Sequence, residues 1–339
     1  MKNILELIEP YNSISIIGMA KNTGKTTTLN YILDEARGKY SLGLTSIGRD
    51  GEEVDRVTTT EKPKIFIEKN TIVATAKNAL FNSDFTKEII YVTDYTTPMG
   101  RVVISNAISA GYVDLAGPSI GAYVGDIVDK LFELKCEKVI VDGALGRKSF
   151  ASPSITEGTI LATGAALHSD MEKVIDETVF TSEILSIDKL NDCKALREYG
   201  KFEDSRVVIM DKNYGTLALN VSTSMIAGKG ISENIDEETR YVFIKGVLTD
   251  KVMDQIMKSC RKMSNITFVV EDGTKVFATQ NTLRKFKKLG GVVKALNKIN
   301  VTAITINPIS PYGYVFSEEQ FLNELTKRTK IPVFNVLRG

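Results

Sequence analysis

One stretch near the amino terminus limits the fold more than any other. A short isoleucine-rich run, Ile14–Ile17, enters the loop Gly18-Met19-Ala20-Lys21-Asn22-Thr23-Gly24-Lys25-Thr26-Thr27, which opens directly into a helical pattern. Leu29, Ile32 and Leu33 recur at helical spacing over residues 26–36, and Gly38 offers a stop. Residues 41–47 read as a second strand. Strand, loop, helix and strand in 35 residues form the smallest α/β building block, so a mostly parallel sheet is expected around it.

The rhythm changes further along. Between residues 64 and 117 short apolar runs are broken by turn chemistry. Ile65-Phe66-Ile67 and Thr71-Ile72-Val73 flank Glu68-Lys69-Asn70 as in a hairpin, and residues 101–105 and 112–115 flank Ser109-Ala110-Gly111 in the same way. A β-rich insertion over about residues 57–117, at the sheet edge, is the expectation. Helical spacing returns at Ile120, Val124, Ile127, Val128, Leu131 and Leu134. A strand, Lys138-Val139-Ile140-Val141, then runs into Asp142-Gly143, and another apolar strand over 159–162 leads to a helix over about 170–180.

The polar stretch 181–205 is the best candidate boundary. It divides a nucleotide-binding domain over 1–200 from a second α/β region over 201–339. In that region strands are expected near 207–210, 241–244, 266–270, 302–306 and 332–337, and helices near 249–260, 282–298 and 317–329.

The loop carries the clearest chemistry. A glycine-containing turn between strand and helix presents successive backbone N–H groups to an anion, with the positive helix end behind them. In Gly24-Lys25-Thr26 the lysine reaches phosphate oxygens and the hydroxyl binds Mg²⁺. Lys21, Asn22, Thr23, Gly24, Lys25, Thr26 and Thr27 are therefore candidate cofactor contacts. The usual pattern puts its first glycine at position 19, which is Met19 here; the glycine stands at 18, so the loop is one residue longer. Asp142, at the end of its apolar strand, is the candidate carboxylate opposite the loop and, with Thr26, the candidate metal ligand. Asp50, in Gly48-Arg49-Asp50-Gly51-Glu52, either serves catalysis beside Arg49 or is a solvated turn. Arg147, followed by Lys148, is a candidate to neutralise charge on a transferring phosphoryl group, or a surface residue. Asp94 and Gly117-Pro118-Ser119 are weaker candidates for the crevice. A guanine-reading Asn/Thr-Lys-x-Asp string is missing; the nearest, Asn297-Lys298-Ile299-Asn300, lacks the aspartate and falls on an expected helix end, which favours ATP over GTP.

Composition removes other classes. Lys plus Arg is 43 against 42 Asp plus Glu, a net charge of +1 that gives no footprint for nucleic acid or an anionic membrane. The short basic run Arg284-Lys285-Phe286-Lys287-Lys288 reads as a solvated helix face. Cys136, Cys193 and Cys260 lack metal-ligand or redox spacing, and a single histidine, His168, argues against a Ser-His-Asp triad. With Glu6 and Glu9 in the first apolar stretch and no membrane-length apolar run, a cytoplasmic setting is expected.

At Lys21-Asn22-Thr23-Gly24-Lys25-Thr26-Thr27 the chain resembles the P-loop NTPase superfamily. The Gly-Lys-Thr-Thr-Thr run is similar to Mur-type ligases, and the longer phrase to molybdopterin-guanine-dinucleotide accessory P-loop proteins. The whole-chain pattern also resembles ATPases associated with adenosylcobalamin-dependent aminomutases. These resemblances imply an α/β, P-loop NTPase-like fold, ATP and Mg²⁺ as cofactors, and an ATPase that regulates or reactivates a partner metabolic enzyme. A small-molecule kinase or ATP-dependent ligase, and a non-catalytic nucleotide-sensing scaffold, are the competing expectations.

Overall fold

Ser13–Gly18 is buried along its whole length, which a strand achieves with sheet neighbours on both sides and helices over both faces. The computed structural model describes residues 3–48, 64–145, 152, 155–202, 204–259 and 266–336, with only the backbone of 144, 145, 225 and 259. In chain order the first elements are α1 (Ile4–Ile8), β1 (Ser13–Gly18), α2 (Lys25–Glu35), β2 (Leu42–Ser46), β3 (Ile65–Ile67), β4 (Ile72–Ala76) and α3 (Lys77–Phe81). Then come β5 (Lys87–Thr97), β6 (Gly100–Ala107), β7 (Gly111–Val113), α4 (Gly121–Glu133), β8 (Lys138–Leu145), β9 (Gly158–Gly164) and α5 (Met171–Leu185). The next are α6 (Cys193–Tyr199), β10 (Val207–Asp211), β11 (Thr216–Leu219), α7 (Ala227–Asn234), β12 (Thr239–Ile244), β13 (Leu248–Thr249) and α8 (Asp250–Ser259). The last are β14 (Thr267–Val270), β15 (Val276–Phe277), α9 (Gln280–Lys288), β16 (Val292–Ala295), β17 (Val301–Asn307), α10 (Glu318–Arg328) and β18 (Val333–Asn335).

The molecule is mixed α/β. Its larger sheet has the order β18-β17-β9-β1-β8-β2-β4-β6-β5. All strands from β18 to β4 pair in parallel, and β6 and β5 are added antiparallel at one edge. Ile14, Ile16, Leu44 and Ile140 pack with Leu29 and Ile32 of α2, and Val139 and Val141 pack with Val124, Ile127 and Leu131 of α4.

The β-rich stretch is present over its described residues, but its pairing differs from the two expected hairpins. β3 pairs with β7, and β4 with β6. β4 is apolar and buried on both faces, so it needs interior neighbours and takes β2 and β6. β3 is instead held to α2, where the Asn30 side chain donates to Lys64 O at 2.9 Å and accepts from Phe66 N at 3.3 Å.

The chain divides into two compact units, Met1–Ser182 with Asn300–Gly339, and Glu183–Ile299. The sequence suggests one boundary at residue 200; instead the carboxyl-terminal strands β17 and β18 belong to the larger sheet. The second unit has its own sheet, β11-β10-β12-β14-β16, in which β12, β14 and β16 are parallel. The helix expected over 282–298 stops at Lys288. Gly290 takes φ +87, and Gly291 lies where a side chain would strike the Phe286 ring, so the chain turns into β16.

Candidate functional site

β1 ends at Gly18 and α2 starts at Lys25, at the carboxyl edge of the parallel sheet. Between them two residues are left-handed, Asn22 at φ +62 and Gly24 at φ +89. Such a bend turns successive N–H groups toward one concave point. α2 has no side-chain cap and no acidic residue in its first turn, so its positive end faces the same point uncompensated. The loop is strapped on three sides. Met19 N donates to Ala162 O at 2.9 Å, the Thr23 hydroxyl donates to Ala20 O at 2.9 Å, and the Asn307 amide donates to Asn22 O at 3.0 Å. With its proton so engaged, the buried Thr23 hydroxyl has no donor left for an anion.

Gly18 has a role although it stands one place early. A Cβ there would lie 2.8 Å from Thr23 Oγ1 and 3.0 Å from both Cγ and Cδ of Lys25. The missing side chain is thus the space in which the Lys25 stem lies. Burial pushes the Lys25 ammonium below its usual pKa, and the Asp142 carboxylate acts in the opposite direction. Asp142 sits on β8 in register with Ile16 of β1 and Ser46 of β2, and its carbonyl accepts from Ile47 N at 2.9 Å. Gly143 follows where a Cβ would come within 2.5 Å of Ile16 O, so β8 lies tightly against β1.

Chemically, the arrangement is a concave set of amides, a cation and a carboxylate on adjacent elements. No protein-family model, curated protein or solved structure matches the chain. Among the described residues no group of three or more His, Cys, Asp or Glu side chains could hold a metal ion. A divalent cation here would take the Thr26 hydroxyl and the Asp142 carboxylate, with the rest of its shell from water and ligand, as Mg²⁺ commonly does.

Of the other residues singled out by sequence, Arg49, Asp50, Arg147 and Lys148 lie outside the described residues. Asp94 is exposed within β5, and β8, β2, β4 and β6 stand between that strand and β1, which removes it from the crevice. Gly117-Pro118 packs against the carboxyl end of β2, two strands from β1: Gly48 N donates to Pro118 O at 3.2 Å, and a Cβ on Gly117 would overlap Ser46 O at 1.6 Å. His168 Nδ1 accepts from Asp170 N at 2.8 Å just ahead of α5, a helix-start role. No helix among the described residues is long and apolar enough to cross a membrane.

The sequence reading missed the contribution of β17. Asn307 ends that strand, holds Asn22 and packs its Cβ toward Gly24, where an added side chain would stand 3.1 Å away. Thr305 Oγ1 lies 2.8 Å from Thr28 Oγ1 on α2, whose hydroxyl and amide both lie 2.9 Å from Gly24 O. An asparagine–proline pair closing an apolar run was the available signal. The string after the strand is Asn307-Pro308-Ile309-Ser310, without a carboxylate, whereas Asn297–Asn300 is only the link from β16 to β17. Beyond it, Ile309 bridges Val315 and Gly313 takes φ +88, forming a small hairpin with Ile309, Tyr312 and Val315 exposed.

Proposed function

We propose that this chain is a P-loop-type, Mg²⁺-dependent ATP-binding protein, and an ATPase that regulates or reactivates a partner metabolic enzyme. The observation that carries the nucleotide reading is the junction of β1 and α2. Left-handed Asn22 and Gly24 shape an amide nest there, and Lys25 lies over Gly18 with Asp142 acting on it from the neighbouring strand. Lys25 would meet the β- and γ-phosphates, and Thr26 and Asp142 would hold Mg²⁺. The ion, when bound, neutralises charge shared by those phosphates. The lack of an Asn/Thr-Lys-x-Asp string favours adenine over guanine, whose exocyclic donors need an acceptor. The hydrolysing, partner-directed part of the reading rests on the resemblance to aminomutase-associated ATPases, and a cytoplasmic setting goes with it.

Calorimetric binding of ATP and GTP, with phosphate release on the same samples, tests the reading. Lys25→Ala is expected to weaken ATP binding by about 3 kcal/mol, the scale of a lost preorganised charge contact. Asp142→Asn is expected to keep binding and lose turnover. ATP affinity indifferent to Lys25→Ala would overturn the nucleotide site. Turnover unchanged by every candidate partner enzyme would remove the regulatory part.

A further inference from the structure

At the carboxyl end of α2, opposite the phosphate loop, lies a cavity of about 840 Å³. The end of α2, the turn into β2, β3 with the turn after it, and Tyr112 on β7 enclose it. Its volume falls within the range of small-molecule sites, roughly 300–1,000 Å³.

The polar groups of its wall divide into engaged and available ones. Arg37 is paired at 2.8 Å with both Asp34 and Glu68, and the Glu137 carboxylate accepts from Ser41 N at 2.7 Å and from Ser41 Oγ at 3.2 Å. One guanidinium thus serves two carboxylates, and the third is hydrogen-bonded within the wall. Lys39, Lys64 and Lys69 at the rim have no carboxylate partner among the described residues. Four cations, Arg37, Lys39, Lys64 and Lys69, face three carboxylates, so the wall is net positive by one charge. One side is aromatic: Phe66 and Tyr112 meet edge to face at 5.4 Å, are 37% and 44% exposed, and have Lys64 Nζ 5.7 Å from the Tyr112 ring centroid. Asn30 clamps this aromatic strand to α2 through both of its amide atoms, so the wall is fixed before any ligand arrives.

We infer that this cavity is a second binding site, for a planar aromatic molecule carrying a negative group. The ring lies against Phe66 and Tyr112, which accept it by stacking and edge contacts, and the anionic group faces Lys64 and the neighbouring rim lysines. None of its residues belongs to the phosphate loop, so the site stands independently of the nucleotide reading.

Isothermal titration of the full chain with 2-naphthoate tests it, using the 2-naphthylmethylammonium ion as a cationic analogue of the same ring. One saturable naphthoate site is expected, weakened at least about tenfold by Tyr112→Ala and by Lys64→Glu and unchanged by Lys25→Ala. The cation should bind much more weakly. Lys64 is exposed, so its variant tests the site even if Tyr112→Ala fails to fold. No saturable naphthoate binding, equal binding by Lys64→Glu, or equal affinity for the cation would overturn the inference. Loss of naphthoate binding in Lys25→Ala would assign the anion to the phosphate loop instead.

Discussion

Gly18 replaces the glycine that the usual loop pattern puts one residue later, and its contacts give the substitution a physical sense. The methyl group of alanine would press on Thr23 Oγ1 and on two methylenes of Lys25, at 2.8 and 3.0 Å. Thr23 is buried with its hydroxyl tied to Ala20 O, so the Lys25 stem must shift as well, and Gly18→Ala should displace the ammonium at some cost in stability. ATP affinity is expected to fall about tenfold, about 1.4 kcal/mol, with a lowered melting temperature, read by calorimetry and thermal unfolding. A variant that binds ATP normally would show that Lys25 does not need this path. Lys25 also makes stability depend on pH. Burial lowers its folded-state pKa below the ordinary 10.5, so between those two values the unfolded chain binds more protons than the folded one. Stability from this group therefore rises with pH across that interval, and its cost is constant and greatest below the folded pKa. Lys25→Met should make the ligand-free protein more stable near neutral pH, with the advantage shrinking toward pH 10.5. Urea unfolding of both proteins over that range reads the difference, and an advantage that grows with pH would contradict the assignment.

Elements whose burial is written in local sequence were legible, and those defined by a distant partner were not. β1, α2 and β8 each show an unbroken apolar run or an amphipathic repeat bounded by turn residues, and each lies where expected within a residue or a few. The hairpins failed because β3 and β4 take partners chosen by sheet position, not by the nearest turn. α7 went unseen because Ala-Gly-Lys-Gly-Ile-Ser-Glu-Asn carries two glycines, poor helix formers whose cost is met by burying Ala227, Gly228 and Ile231. β11 is a half-exposed edge strand of only four residues, too short for its pattern to stand out. For the site, Gly24, Lys25, Thr26 and Asp142 were legible from motif and order, while Asn307 was hidden because it acts across 285 residues of chain. Its contribution belongs to this scale, since it is the end of one strand bracing a loop. Asn307→Ala removes the donor to Asn22 O and frees the left-handed turn. ATP affinity should fall about fivefold, about 1 kcal/mol, the usual net value of one hydrogen bond. Asn307→Asp tests the geometry further: a carboxylate cannot donate to that carbonyl and should weaken binding at least as much. Unchanged affinity in both variants would show that the loop holds its shape alone.

At the scale of the molecule, the second unit interrupts the first, and the last 40 residues complete the sheet on which the loop from Gly18 to Thr27 is built. β17 lies between β9 and β18, and the Thr302 hydroxyl donates to Thr159 O at 3.2 Å across 143 positions of sequence. Contacts of that span form late, because the loop between them must close before they contribute. A chain ending after Ile299 lacks β17, α10 and β18. It loses the buried side chains of Ile304, Ile306, Phe321 and Leu325. At about 1.5–3 kcal/mol for each large apolar side chain the loss is comparable with the whole stability of a typical domain, about 5–15 kcal/mol. It also uncovers the apolar edge of β9 and removes Asn307 from the loop. The truncated chain should therefore show no cooperative unfolding of the larger unit in urea and no ATP binding, while the full chain shows both. The fragment 1–200, which the sequence marks out as a domain, should fail for the same reason. Cooperative unfolding of the truncated chain at the full-length midpoint would mean that β9 does not need its carboxyl-terminal neighbours, and that the sheet is complete at β9.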